Sequence, residues 1–480
     1  RTPIPLSLEA TSTTSTVLSY PGKVLADPVG KRLFIADSSH DRILVSDLDG
    51  RLTQAIGSGK EGFEDGGPTD SSFRQPQGLA LSTDGKTLYV ADTRNHAVRA
   101  VDLATGNVTT IAGTGKQLDK LPGSNAKATE TAMSSPWDLV VVAKTLYITM
   151  AGIHQLWTLA LDKGTISVFA GTSREGIDDG PRTQATLAQP SAVTTDGKYL
   201  YWVDPESSSV RQVPVDGNGE VESIVGTGLF DYGDKDGNGK SAKLQHPQGI
   251  TLAGTVLYVS DTYNHQVRTV DTVSHAVGTA AGAGPDGRGW NDGTGAGAKF
   301  DEPGGLGYAD GKVYIADTNN NLIRVLDTKT DSVSTLTLSN LSVASDQAPG
   351  RKLQAQIAAQ DVSNTATTLR VTFTAPDGYH LNSQAPSMLT LTSSNAAVVE
   401  LGEETLTWAT DEGEVSLPVP AQLHDGTATV TGVASVYYCR TGAEALCFIQ
   451  QIEITAPVRV SGGAVSGEIK FAYTLPPSAS

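Results

Sequence analysis

The sequence predicts an all-β protein, a six-bladed β-propeller followed by a small immunoglobulin-like β-sandwich. Three observations predict it. Six segments repeat one pattern, each repeat holds four short strand-like runs, and the pattern stops after Leu338. Fixed-period self-similarity on this scale marks a repeat architecture.

The leading prolines of the repeats are Pro21, Pro76, Pro136, Pro190, Pro247 and Pro303, spaced by 55, 60, 54, 57 and 56 residues. The second repeat reads most plainly, as QPQGLAL, KTLYVAD, HAVRAVD and NVTTIAG. Such β-branched or alternating runs between turn residues read as a four-stranded antiparallel unit. A sheet that small cannot bury both faces alone. Radial stacking buries them and leaves only short edges, and six units close a ring. The expected boundaries are an N-terminal extension over 1–20, the propeller over 21–338, a linker over 339–352 and the sandwich over 353–480. Residues 1–20 contain STTSTVLSY, a candidate outer strand, but the sixth repeat has four runs of its own, so ring closure stays open at this stage.

Five repeats end their second run on an aspartate (Asp37, Asp92, Asp204, Asp261, Asp317), whereas the third has Met150. Recurrence favours a structural role: a short carboxylate accepts backbone N–H bonds in a tight turn. A recurring arginine in the third run (Arg99, Arg211, Arg268, Arg324) suggests either a ring for anionic ligands or, preferably, pairing with carboxylates that stitches blade to blade. The inter-repeat connections, such as Gly57 to Pro76 and Gly282 to Pro303, exceed the length at which loops are usually functional or self-packed. They share a face with the second-to-third strand turns. That face collects Asp65, Asp179, Asp236 and Asp292 with the turn histidines His96, His154 and His265, which make it the expected docking surface.

Composition and motif spacing weigh against several chemistries. A formal charge of −17 argues against a nucleic-acid partner, which needs a basic face. No apolar run is long enough to insert in a membrane. Recurring G-x-G pairs (Gly57/Gly59, Gly113/Gly115, Gly226/Gly228, Gly282/Gly284) lack the following helix that a phosphate cradle uses. Asp234, Asp236, Asn238 and Gly239 fit the start of a calcium loop, but its twelfth position is Gln245. His96, His154 and His265 are the right number and type for a three-histidine zinc site, yet ring geometry sets those turns apart. No catalytic set, metal or cofactor is therefore expected. A metal-dependent propeller lyase or lactonase is the alternative from the enzyme class. The chain starts at Arg1 without an apolar signal segment, and we read it as a piece of something longer.

The segments DTRNHAVRAVD, DTYNHQVRTVD and DTNNNLIRVLD resemble NHL repeats. Further motifs, SPWDL (135–139), MAGIHQLW (150–157), FDYGDKDGNG (230–239), LQHPQG (244–249) and the opening PIPLSLE (3–9), resemble the thioredoxin-like/NHL-repeat family of NHL-repeat-containing protein 2 and the plant suppressors of quenching. The resemblance implies an interaction scaffold in redox-linked regulation of photoprotective quenching in the thylakoid lumen, or a periplasmic thiol role for a bacterial member. It also implies a thioredoxin-like domain, in cis or in trans, and a client protein as partners. No Cys-x-x-Cys occurs in this chain.

From Leu353 onward, TTLRVTFTAP, AAVVEL, EVSLPVP, GTATVTGVASVYYC, LCFIQQIEIT and GEIKFAYTLP are short alternating runs, the signature of a sandwich. APDGYHLN and the Tyr438-Cys439…Cys447-Phe448 pair resemble the amino-terminal domain of the bacterial disulfide reductase DsbD. Cys439 and Cys447 are the only cysteines and end two runs that a hairpin would join. A structural disulfide is the favoured reading. Thiol–disulfide exchange is the other, although the family's exchanging cysteines are more closely spaced. His380 reads as a turn residue.

Overall fold

The computed structural model describes residues 18–340, 343, 353–383, 387–402, 405–441, 447–464 and 466–475. Most of the expected N-terminal extension and linker, and residues 442–446 between the cysteines, lie outside the described residues. The described residues fall into two compact units, one up to residue 343 and one from residue 353.

The first unit contains six antiparallel sheets, one per repeat. In blade two the strands are Pro76–Leu81, Thr87–Asp92, Ala97–Asp102 and Val108–Gly113. Second strands are buried almost throughout, as in Thr87–Asp92 and Val256–Asp261, because mid-blade positions pack on both faces against neighbouring blades. Fourth strands alternate instead: Glu220–Val225 exposes Glu220 and Glu222 and buries Val221. The first strands, beginning at Lys23, Pro76, Pro136, Ala192, Gly249 and Pro303, touch one another in a closed circle around the axis.

The long connections contribute a fifth, short strand that the sequence did not reveal. Ala126–Lys127, Gly180–Pro181, Gly237–Asn238 and Gly293–Thr294 each pair with the outer strand of the blade they lead into. In blade one that edge is taken from the far end of the unit. The Leu52 N–H donates to the Ser339 carbonyl and the Ser339 N–H to Gly50, both at 3.0 Å. Asn340 Nδ2 then donates to the Leu52 carbonyl at 2.8 Å.

Each blade takes its four main strands from its own repeat, so no main strand is exchanged at the seam. Side-chain packing closes the ring there: Leu18, Val24, Leu33 and Ile35 form one core cluster with Tyr314, Ala316, Ile323 and Leu338.

The second unit is a two-sheet sandwich. Its larger sheet is built on a hairpin of Gly426–Arg440 and Cys447–Ser461. The smaller one orders Val399–Leu401, Glu414–Leu423, Thr368–Thr374 and Ile469–Thr474. Thr368–Thr374 alternates strictly between buried and half-buried positions, with Leu369, Val371 and Phe373 in the core beside Leu389, Ala434 and Ile452. Three pairings are parallel, Leu353–Gln356 and Gln360–Ser363 on Cys447–Ser461 and Thr368–Thr374 on Ile469–Thr474.

Candidate functional site

The recurring aspartates and arginines are one device. In blade two, Arg99 is fully buried, and its Nη1 donates to Asp92 Oδ2 at 2.8 Å and to the Ser72 carbonyl at 2.9 Å. Its Nη2 donates to the Glu64 carbonyl at 2.7 Å and to Asp65 Oδ1 at 2.8 Å. Arg211, Arg268 and Arg324 repeat this with Asp204/Asp179, Asp261/Asp236 and Asp317/Asp292. Each arginine ties its own blade to the loop leading into it, rather than stitching blade to blade as the sequence suggested. Burial pushes the Asp92 and Asp317 carboxyls up to about 6 and that of Asp261 to about 7, against the pull of the arginines and N–H donors. Blade three replaces both partners at once. Met150 stands at the aspartate position and Trp157, seven residues on, at the arginine position, both fully buried. An apolar pair of similar bulk removes the need to desolvate two charges.

The turn histidines serve a second device. After the 3-10 turn Thr93–Asn95, His96 has a left-handed backbone, φ 50°. Its Nδ1 accepts the N–H of Ser135, the residue before Pro136 of the next blade, at 3.0 Å. His154 accepts from Gln189 at 3.2 Å and His265 from Glu302 at 3.1 Å. The other three interfaces use different side chains: Asp41 accepts from Gln75, Ser208 from His246 and, across the seam, Asn321 from Tyr20. The three histidines are therefore held apart, one per interface. Among the described residues no group of three or more His, Cys, Asp or Glu is arranged to hold a metal ion. Burial lowers the His96 and His265 pKa values below the ordinary imidazole range.

All seven residues expected to form a docking face are thus bonded within the ring. Asp65, Asp179, Asp236 and Asp292 also accept bonds from Thr110, Ser223, Thr279 and Thr335 on the outer strands. The segment that resembled a calcium loop is occupied likewise: Asp234 and Asp236 pair with Arg268, and Asn238 caps the turn Gly239–Ser241. The recurring glycines are conformational. Gly113 has φ +94°, and a Cβ there would lie 2.4 Å from the His96 carbonyl oxygen.

In the second unit, Cys439 is disulfide-bonded, 2% exposed and directly opposite Cys447, the only other cysteine, across the hairpin. Opposed residues in antiparallel strands have the Cα separation a disulfide needs. His380 lies on the short strand Tyr379–Leu381 with Nδ1 2.8 Å from the Leu381 carbonyl.

Sequence reasoning missed the mouth of the central channel. The first strands bring together the two residues after each leading proline, and at the second position four of the six are Gly or Ala. The exceptions meet: Lys23 Nζ donates to both Asp138 oxygens, at 2.5 and 2.7 Å, and both residues are buried. Gly78 lets them approach, since a Cβ there would lie 2.4 Å from the Asp138 Cα. Asp138 also accepts the Val193 N–H at 3.0 Å, so the pair ties blades one, three and four together. Next to it opens a cavity of about 250 Å³ lined by residues that include Gln77, Trp137 and Gln248. The usable signal was the exceptional residues, Lys23 and Asp138, at a repeat position otherwise held by Gly or Ala.

Fold and repeated polar bonding define a closed NHL-repeat propeller joined to a β-sandwich. The NHL repeat family matches residues 73–100, which span most of blade two. The chain belongs to the family of NHL repeat-containing protein 2 and suppressor of quenching 1. It is 35% identical over 509 residues to the chloroplastic suppressor of quenching 1 of Arabidopsis thaliana, covering all of this chain and 47% of that protein. It is also 35% identical to NHL repeat-containing protein 2 of Gallus gallus, covering 92% of this chain and 67% of that one. The chain thus spans about half the length of the plant relative and two thirds of the avian one. Among solved structures, a Bacteroides thetaiotaomicron protein of unknown function aligns at 18% identity and a TM-score of 0.47, over 65% of this chain and 70% of its own.

Proposed function

We propose that this chain is a non-catalytic interaction scaffold that presents a client protein to a thioredoxin-like domain, in cis or in trans. The observation that carries this reading is an aromatic edge between blades four and five. Phe230 is 90% exposed, Tyr232 59% and Tyr263 43%, in a unit whose repeated polar groups are committed internally. Asn264 Nδ2 donates to the Gly233 carbonyl at 2.8 Å and holds the Tyr232 and Tyr263 segments side by side. Exposed aromatic clusters are what protein interfaces use as anchors. The chloroplastic relative supports a place in the chloroplast, and the family resemblance extends this to redox-linked control of photoprotective quenching in the thylakoid lumen.

Pull-down of the chain with the thioredoxin-like domain and client extract tests the reading. Phe230→Ser/Tyr232→Ser is expected to abolish capture while leaving the unfolding temperature unchanged. Capture that survives this double change, but is lost with Asp292→Lys in a still-folded chain, would move docking to the acidic loops.

A further inference from the structure

We propose that the mouth of the central channel is a binding site for a neutral, polyhydroxylated ring of monosaccharide size. The cavity of about 250 Å³ lies just below the range of drug-sized sites, which suits a single ring. None of its lining residues is charged. Of the charges beside it, Lys23 and Asp138 cancel each other in a buried pair, and Arg94 and Asp41 each bond to Gln75. The wall itself offers no cation to an anion and no carboxylate to a cation. A purely apolar guest would strand the amides of the wall, which costs free energy once they are removed from water.

The wall separates into residues already bonded and residues left over. Ser38 donates to the Pro76 carbonyl, Thr318 to the Pro21 carbonyl, and Gln75 accepts from Arg94. The side chains of Gln77, Gln248 and Trp137 have no hydrogen-bond partner among the described residues, although all three are half-buried. Gln77 belongs to blade two and Gln248 to blade five, which stand opposite each other in a ring of six. Each amide offers a donor and an acceptor, the pairing that adjacent hydroxyls require. Trp137, from blade three, adds an aromatic face for the C–H face of a sugar ring and an indole N–H for a further hydroxyl. This site is separate from the aromatic edge, so its test is independent of the scaffold reading.

Saturation-transfer NMR on the whole chain tests it, with glucose, galactose and mannose, their methyl glycosides, and the charged analogues glucose 6-phosphate, gluconate and glucosamine. Neutral sugars are expected to receive saturation on their ring C–H protons, and the charged analogues to receive less. Binding of the methyl glycosides as well would assign the site to a glycan end, and binding of free sugars alone to a soluble monosaccharide. Trp137→Ala, Gln77→Ala and Gln248→Ala should each weaken binding about tenfold, the equivalent of roughly 1.4 kcal/mol, in chains that melt like the wild type, and Phe230→Ser should not. The proposal is overturned if no neutral sugar binds, if the charged analogues bind as tightly, or if all three wall variants bind like the wild type.

Discussion

Blade three offers a natural experiment that can be copied into blade two. We predict that Arg99→Trp alone strongly destabilises the first unit, and that adding Asp92→Met recovers part of the loss. Arg99 and Asp92 both have side chains at 0% exposure, 2.8 Å apart. Without the guanidinium, the Asp92 carboxylate keeps only the Asn95 amide and the Arg74 N–H, both at 2.8 Å. The Ser72 and Glu64 carbonyls lose a donor as well. Breaking a buried pair from one side costs about 3–5 kcal/mol. The double variant strands no buried charge, leaving only the half-exposed Asp65 without its arginine, and reproduces the Met150/Trp157 pair, so the two changes should couple favourably by about 1–3 kcal/mol.

The pH dependence gives a second reading. The buried Asp92 carboxyl is raised to about 6, above its unfolded value, so its contribution is full at low pH and fades as pH rises through 6. Loss of Arg99 raises it further, and the deficit of Arg99→Trp against wild type should shrink on acidification. Urea unfolding followed by circular dichroism, for both single variants and the double, measures all of this. A single Arg99→Trp within about 1 kcal/mol of wild type, or a double equal to the sum of its parts, would refute the argument.

Other predictions are more local. Because His96 and His265 accept through Nδ1 and their pKa values are lowered by burial, their staples are intact above the unfolded imidazole pKa and weaken as pH falls below it. The pair His96→Asn/His265→Asn, which borrows the acceptor blade six uses, should flatten the acid limb of a stability profile; an unchanged limb would reject the staple. Asn321→Ala removes the acceptor for the Tyr20 N–H at the seam and should cost about 1 kcal/mol. Hydrogen exchange should then rise in blades one and six first, and a uniform rise would argue against a localised seam. Cys439→Ser should cost roughly 2–3 kcal/mol for so short a loop. With Cys439 buried, the pair should resist thioredoxin-type donors, with a potential below about −300 mV. Ready reduction would instead favour the exchange reading.

Some of this was legible before any fold was known. The proline spacing gave the number of blades, and runs such as KTLYVAD and HAVRAVD gave their strands, because alternation and turn chemistry are local properties of the chain. The pairing of the recurring aspartates with the recurring arginines was partly legible, since both lie on neighbouring strands of one repeat. The third member of each clamp was not. Asp65 looked like a free acidic loop residue, and only the folding-back of its loop onto Thr110 and Arg99 gave it an internal role.

The histidines misled for a related reason. Their repeat position was visible, but the bond from each to the backbone before the next proline is a contact between blades. Closure was decided by tertiary structure alone. Ser339 reaches Leu52 and Asn321 reaches Tyr20 because a ring of six equal sectors returns the last blade to the first. Lys23 and Asp138, 115 residues apart, meet for the same reason, across the gap left by Gly78. Sequence determined the blades because each one folds on its own periodicity. Tertiary structure decided the channel and the seam because those exist only once the ring has closed.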